Sequence, residues 1–418
     1  MARFINILIL ILAGEMVFAL PFSVARFFRP TMLEVFGFTN TQLGDVGAIY
    51  GVTAMLSYFP GGALADRFSA RALLSASLVA TGAGGLYMAT IPNIWGMSLL
   101  FGFWGITTIF LFWGALIRAT REWGSARGQG IAFGLLEGGR GITAALSATA
   151  LVTLFRLYMP ENLSMVTDAE RKAAFQVVVF GYSALTIGVG VLAWFLVPDP
   201  EGAASRRKNI LPNMMLVIRR PVVWAQAAIV VGAYSLFKAA DTYALYLTTV
   251  MGMDEVRASE IASWSAYIRP VAAIVAGLVA FRFNATTSIG VIFALGAIVT
   301  LVLSIFGPDS AAMPVIFVNL ATSVFVVYAL RGIYFALLEE TRTPRQITGA
   351  AVGLVSVVGF TPEIFMGPIA GRILDATPGL GGFQDLFTLL ATISLASVMI
   401  VAWLIRLNGN TPPARAVT

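Results

Sequence analysis

The sequence predicts an all-α membrane protein whose twelve transmembrane helices form two pseudo-symmetric six-helix bundles. Three observations carry that expectation. Of 418 residues, 58% are hydrophobic and only 11% charged, more apolar surface than a soluble core of this size can bury. The apolar residues gather in charge-poor runs of ~20 or more, each long enough as a helix to cross the ~30 Å hydrocarbon layer. The runs are continuous, without alternating polarity, which favours helices over a barrel.

The runs lie near 4–35, 43–64, 72–92, 94–117, 128–158 and 173–197, then 221–250, 259–281, 288–306, 312–338, 347–374 and 383–407. The first follows Arg3 but lacks a small-residue cleavage site, and eleven more follow it, so it reads as a retained helix. Its apolar pattern resumes after Pro30 through TMLEVF, which predicts a long helix with Arg26 about two-thirds of the way across rather than snorkelling at the interface. Runs two and three are joined by the charged stretch GGALADRFSARALL (61–74). Run four clusters Trp104, Phe110, Phe112 and Trp113. Run five spaces Gly130, Gly134 and Gly138 four apart, a small-residue ladder expected to press closely on a neighbour. After run six comes the most polar stretch, VPDPEGAASRRKNILPN, predicting a linker over 198–219 between an N-terminal bundle (1–197) and a C-terminal bundle (220–418). Run seven carries Tyr234, Tyr243 and Tyr246; the last two share a face, and either hydroxyl is a candidate substrate contact.

Basic residues set the orientation. With the N-terminus inside, sixteen cationic residues fall on the cytoplasmic side against six outside (Arg29, Arg156, Arg171, Lys172, Arg257 and Arg372). That asymmetry predicts an inner-membrane protein with both termini cytoplasmic. The net charge of +6 therefore reflects loop anchoring and not nucleic-acid binding. Cysteine and histidine are both absent, which removes disulfides, thiol chemistry, imidazole metal ligands and imidazole proton relays.

The chain also repeats itself. GALADRFSARALL from Gly62 aligns with GLVAFRFNATTSI from Gly277, so Arg67 meets Arg282 while Asp66 becomes Phe281 and Arg71 becomes Thr286. RGQGIAFGLL from Arg127 aligns with RQITGAAVGLV from Arg345, setting Gly134 on Gly353. Two matches at nearly one offset, 215 and 219, predict a six-plus-six duplication.

Twelve runs, a central basic loop and the G-x-x-x-D-R-x-x-x-R element made by Gly62, Asp66, Arg67 and Arg71 resemble the major facilitator superfamily over essentially the whole chain. The resemblance implies that the acid of this element sits against the cytoplasmic start of span eleven and its arginines bridge to neighbouring acids, a latch that holds when the cytoplasmic side is shut. Arg282 is then the remnant of the second-half copy, which has lost its acid. The segment 25–51 is similar to the first-span region of the family's organic anion branch, which grips phosphate with one basic residue in span one and one in span seven. That implies Arg26 and Lys238 as substrate ligands, with lysine a point charge where the branch has a bidentate arginine.

Ionisable residues within spans are costly and are functional candidates by default. They are Glu15, Arg26, Glu137, Arg140, Lys238, Asp241, Arg269, Arg331 and Glu363. Glu137 with Arg140 and Lys238 with Asp241 are three apart on one helix face, a spacing that permits mutual neutralisation. Arg26 and Lys238 are 212 apart, close to the repeat offset, and two cations aimed at one site suit an anion. Arg140 and Arg269 join them as further ligands. Glu15 and Glu363 have no sequence-local partner: each is a candidate proton carrier or a gate pair for Arg140 or Arg269, and Asp241 and Glu137 share that list.

The expected function is secondary active transport of a small organic anion by alternating access, with protons as co-substrate or a counter-anion in exchange. The expectation includes no cofactor, metal or nucleic-acid partner, and a monomer in the bilayer. No phosphate-binding G-x-x-x-x-G-K-[ST] stretch is present, so the energy comes from a gradient. A proton-coupled exporter of lipophilic cations, with Glu15 or Glu363 as its acidic point, is the alternative, disfavoured by the cationic excess within the spans. An enzyme acting in the bilayer would need a nucleophile–base or metal constellation, and the absence of histidine and cysteine disfavours it. A receptor-like protein that keeps the fold without transport is a further class, made unattractive by the paired intramembrane charges.

Overall fold

The computed structural model describes residues 2–124, 129–160, 165–198, 211–308, 313–341 and 348–409. Arg127, Arg345 and most of the expected linker lie outside them. Among the described residues there are twelve long helical rods, one at each expected run, and no strand. Ten are long and apolar enough on their own to cross a membrane.

Span 1 runs over 2–36, span 2 is Asn40–Ala65, span 3 Ala70–Met88, span 4 Ile94–Gly124, span 5 Gln129–Tyr158 and span 6 Asp168–Leu196. Span 7 is Pro221–Thr249, span 8 Glu255–Phe283, span 9 Ala285–Ile305, span 10 covers 313–340, span 11 348–376 and span 12 Leu380–Gly409. Starts are written in the sequence. Thr39 and Thr167 each make a reciprocal capping box, with Gln42 and Glu170, while Ser69, Asn93, Asp254 and Asn284 cap with one side-chain acceptor. Span 1 ends at Gly37, whose φ of 64° is a left-handed stop open to glycine.

Several spans are irregular, and the irregularities fall beside the intramembrane charges. Span 1 widens to a π-turn at Ala19–Ser23 and breaks at Phe28, where Pro30 restarts the helix, so Arg26 sits just before a break in the long helix expected from sequence. Span 4 is π-helical over Ile106–Trp113. Span 7 tightens to a 3₁₀ turn at Ala240–Thr242, span 8 at Ser265–Tyr267 just before Arg269, and span 10 at Tyr334–Ala336 just after Arg331. Such departures from α geometry free backbone groups and concentrate at functional positions.

The helices form two compact units. One consists of Met1–Arg206 with Ala239–Pro270 and Glu363–Gly382; the other of Arg207–Lys238, Val271–Pro362 and Phe383–Thr418. In the first, the later part of span 7, the early part of span 8 and the later part of span 11 pack on spans 1–6. Large apolar side chains stay exposed on the helices of both, Leu99 and Phe195 in the first and Phe281 in the second, as expected where the solvent is lipid.

The glycine ladder of span 5 is a correction. Among the described residues a Cβ on Gly134 or Gly138 would meet nothing within 4 Å, whereas one on Gly139 would fall 2.6 Å from Ile11 of span 1. The face turned inward is the one carrying Leu136, Arg140 and Ala144, all buried, and the glycines at 134 and 138 lie off that face.

Candidate functional site

The first unit gathers four of the sequence-predicted charges into one cluster. Arg140 of span 5 donates through Nη1 to Glu137 Oε1 at 2.6 Å, and its Nε lies 3.4 Å from Glu15 Oε2 of span 1. Arg269 of span 8 donates through Nη1 to both Glu15 oxygens, at 3.3 and 3.4 Å, and its Nη2 lies 3.6 Å from Glu137 Oε2. Two guanidiniums and two carboxylates thus neutralise each other. Two glycines make room for the long arginine stems. A Cβ on Gly14 would fall 3.1 Å from Arg140 Cδ, and one on Gly141 3.4 Å from the Arg269 stem. The Arg140 guanidinium also faces the rings of Phe18 and Trp113, at 5.7 and 5.9 Å. Faces on rings and edges on acids is the arrangement a planar cation allows.

The members differ in burial. Arg140 is 7% exposed and Glu15 9%, while the Glu137 side chain is 54% exposed. The Glu15 contacts are also longer than the ~2.7–2.9 Å usual for charge-assisted hydrogen bonds. Glu15 is therefore shared between two arginines and held closely by neither.

Arg26 and Asp241 form a second, tighter element. Nε and Nη2 of Arg26 both lie 2.6 Å from Asp241 Oδ1, with the two side chains 14% and 12% exposed. Asp241 sits in the 3₁₀ turn of span 7, and a residue 215 positions away, Arg26, binds it. Lys238 lies in the second unit, in the last turn of Pro221–Ala239. Tyr243 and Tyr246 follow the 3₁₀ turn, both buried. Glu363 is 8% exposed in the first turn of the later part of span 11, its backbone against Gly51 of span 2.

The loop element at 62–71 is placed as follows. Asp66 ends span 2, its amide bonded to Gly62 O, with its side chain and that of Arg67 exposed. Arg71, in the first turn of span 3, lies over the Trp194 ring of span 6 at 5.2 Å. Arg118 of span 4, one of the sixteen cations on the expected cytoplasmic side, donates to Ala65 O at 2.7 Å and organises this turn. In the second unit Arg282 lies over Phe283, and Glu340 of span 10 accepts the Thr286 amide at the start of span 9.

Sequence reasoning missed the network at the ends of spans 1, 2, 6, 8 and 11. Arg171 lies within 3.4 Å of Glu34, Asp168 and Glu255. Arg29 donates to Asn40, Asp375 accepts from Asn40 and Thr41, and Arg372 pairs with Asp45. These groups lie near helix ends, where charge is ordinary, so no signal in the sequence separated them from solvated loop residues.

Comparison with known proteins agrees with this architecture. Residues 11–365 match the Major Facilitator Superfamily. The chain belongs to that family. As a major facilitator protein it is a multi-pass membrane transporter and not an enzyme. It is 28% identical over 415 residues to inner membrane protein YqcE of Escherichia coli, covering 96% of this chain and 94% of the relative. Inner membrane protein YihN of the same organism is 25% identical over 410 residues, covering 95% and 94%. Membrane sensor protein UhpC of Salmonella typhimurium is 23% identical, covering 90% and 87%. Among solved structures, a bacterial homolog of the human lysosomal transporter Spinster superposes with a TM-score of 0.78 at 13% identity, covering 98% of each chain. The nucleoside transporter NupG gives 0.74 at 14%, covering 97% of this major facilitator chain and all of that one. Both likenesses speak for the fold.

Proposed function

We propose that the protein is a secondary active transporter of a small organic anion (a carboxylate, sugar acid, sulfonate or phosphate ester), working by alternating access as a proton symporter or an exchanger. The observation that carries this reading is Glu15 shared between Arg140 and Arg269 at 3.3–3.4 Å. A ligand anion offers these guanidiniums shorter contacts than Glu15 does, and the half-exposed Glu137 is the carboxylate it most readily displaces. Protonation of Glu15 removes the competing charge, which would let proton and anion enter together.

Arg26 and Lys238 belong to the same proposal, with Arg26 released to a ligand only when Asp241 gives it up. Tyr243 and Tyr246 supply hydroxyls; Asp241, Glu137 and Glu363 serve coupling or gating; Gly62, Asp66, Arg67, Arg71 and Arg282 serve the cytoplasmic gate. The placement is the inner membrane, with both termini cytoplasmic, supported by the asymmetry of basic residues and by the names of the two Escherichia coli relatives. The protein works as a monomer, its two six-helix halves divided at 198–219.

The test is reconstitution into proteoliposomes enclosing a pH-sensitive dye, with organic acids, lipophilic cations and neutral sugars added in turn. An organic acid that moves protons inward, or exchanges for a trapped acid, is the expected result. Proton movement driven by lipophilic cations alone would replace this reading with cation export.

A further inference from the structure

Arg331 of span 10 stands apart from the other intramembrane arginines. Arg26, Arg140 and Arg269 each have a carboxylate at 3.3 Å or closer. Among the described residues Arg331 has no ion pair, and its contacts are with rings. Its guanidinium carbon lies 3.9 Å from the Phe237 ring centroid and 5.7 Å from that of Tyr234, both on span 7 and within the second unit. The rings are themselves fixed. Tyr234 packs on Phe237 at 5.4 Å and on Phe360 of span 11 at 5.0 Å, and Phe237 packs on Tyr328, one turn before Arg331, at 6.4 Å.

This arrangement uses one part of the guanidinium and leaves another. A guanidinium carbon 3.9 Å from a ring centroid engages its flat face, while the five N–H donors lie in the guanidinium plane and have no hydrogen-bond acceptor among the described residues. A cation is costly inside a membrane, and packing between Phe237 and Tyr234 alone would be served better by leucine. Snorkelling does not account for it either. Arg331 is nine residues, about 14 Å along the axis, from the helix end at Glu340. The helix tightens immediately after it, at Tyr334–Ala336, as it does beside Asp241 and before Arg269. What the geometry leaves unused is a planar fork suited to an oxyanion.

We propose that Arg331 is a substrate-binding residue whose in-plane N–H edge takes the oxyanion headgroup (carboxylate, sulfonate or phosphate) of the transported acid, with Phe237 and Tyr234 holding the guanidinium in position. The proposal rests on the organic-anion reading above and adds a ligand that the span-one and span-seven resemblance does not contain.

The experiment is thermal unfolding of the purified full chain in detergent, at fixed ionic strength. The probes are acetate, sulfate, inorganic phosphate and tetraphenylphosphonium, with a separate series in micelles doped with phosphatidylglycerol. The proteins are the parent, Arg331→Gln, Arg331→Lys and Phe237→Leu. The readout is the ligand-induced shift, separate from the basal midpoint. Expected is a shift with at least one anion in the parent, with affinity weakened roughly 10- to 100-fold in Arg331→Gln, as loss of a charge-assisted contact implies. Arg331→Lys falls between, having charge without the fork. Phe237→Leu also weakens binding though the arginine remains, and these two variants carry the test if the glutamine protein does not fold.

An Arg331→Gln protein with a lowered midpoint but an undiminished anion shift makes the residue a packing contact; the assignment then fails and the organic-anion reading stands. A parent shifted by tetraphenylphosphonium alone, or by no probe, sinks that reading and the assignment with it. A shift confined to phosphatidylglycerol micelles and lost in Arg331→Gln gives the site to a lipid headgroup and overturns the substrate role.

Discussion

Asp375, in the last turns of span 11, accepts the backbone N–H of Thr41, in the first turn of span 2, at 2.7 Å. The same carboxylate accepts the Asn40 amide at 3.1 Å and its side chain at 3.2 Å. A helix start leaves its first amides without intrahelical partners and favours negative charge, so one acid from a distant span satisfies both needs. On the proposed orientation this end faces outward, and the contact must open for the ligand to exchange on that side. Asp375→Ala is therefore expected to favour the opened form by about 1 kcal/mol, the usual worth of a helix cap, and so to raise its population about fivefold. The chain contains no cysteine. A single Leu43→Cys, buried in span 2, then reports opening through its labelling rate with an impermeant maleimide. Equal rates with and without Asp375→Ala would show that this contact does not hold the outer end shut.

Gly44 and Gly367 make the same crossing close. A Cβ on Gly44 would fall 2.3 Å from the backbone oxygen of Gly367, and backbone cannot step aside as a flexible side chain can. Gly44→Val is expected to hold spans 2 and 11 apart at this end, with Leu43→Cys labelled quickly at all times and net transport abolished. Slow labelling in Gly44→Val would mean the crossing tolerates bulk.

How much of this was legible follows from how far each constraint reaches along the chain. The twelve spans could be read because membrane thickness imposes one length and one composition on every crossing. The Glu137–Arg140 contact could be read because three residues are one helical turn. The Arg26–Asp241 contact could not, since its partners are 215 residues apart and only the fold brings span 1 beside the 3₁₀ turn of span 7. The choice between proton carrier and gate partner for Glu15 had the same origin: nothing local specifies that Arg140 and Arg269 converge on it. The span 5 ladder misled because glycines four apart define a face without saying which neighbour it meets, and the adjacent Gly139 lies on the buried side. Asp375 and Arg171 looked like ordinary helix-end charges for want of any depth cue.

The Arg26–Asp241 pair is expected to be costly to break and cheap to remove whole. Asp241→Asn leaves a largely buried guanidinium without its counter-charge, for a loss of roughly 3–5 kcal/mol. Arg26→Met with Asp241→Leu removes both charges, and the double variant should lie closer to the parent in thermal stability than either single change. A double variant as unstable as the sum of the singles would show that the two residues act independently and that the contact at 2.6 Å carries little coupling.

Glu15 is where coupling is most directly tested. It is 9% exposed and lies 3.4 Å from Arg140 and 3.3 Å from Arg269. Glu15→Gln keeps the shape of the protonated side chain and fixes it in that state, so both guanidiniums stay available to an anion whatever the pH. If Glu15 carries the proton, the variant binds anions at least as well as the parent and still exchanges one anion for another across a proteoliposome membrane. It no longer accumulates an anion against its gradient when a proton gradient is imposed, and its exchange rate no longer varies with pH through this residue. The two activities separate because exchange needs only the loaded carrier to move in both directions, whereas accumulation also needs the empty carrier to return without its proton. A glutamine variant that retains proton-driven accumulation would assign Glu15 to holding the arginines in place, and Glu137, Asp241 or Glu363 would have to supply the proton instead.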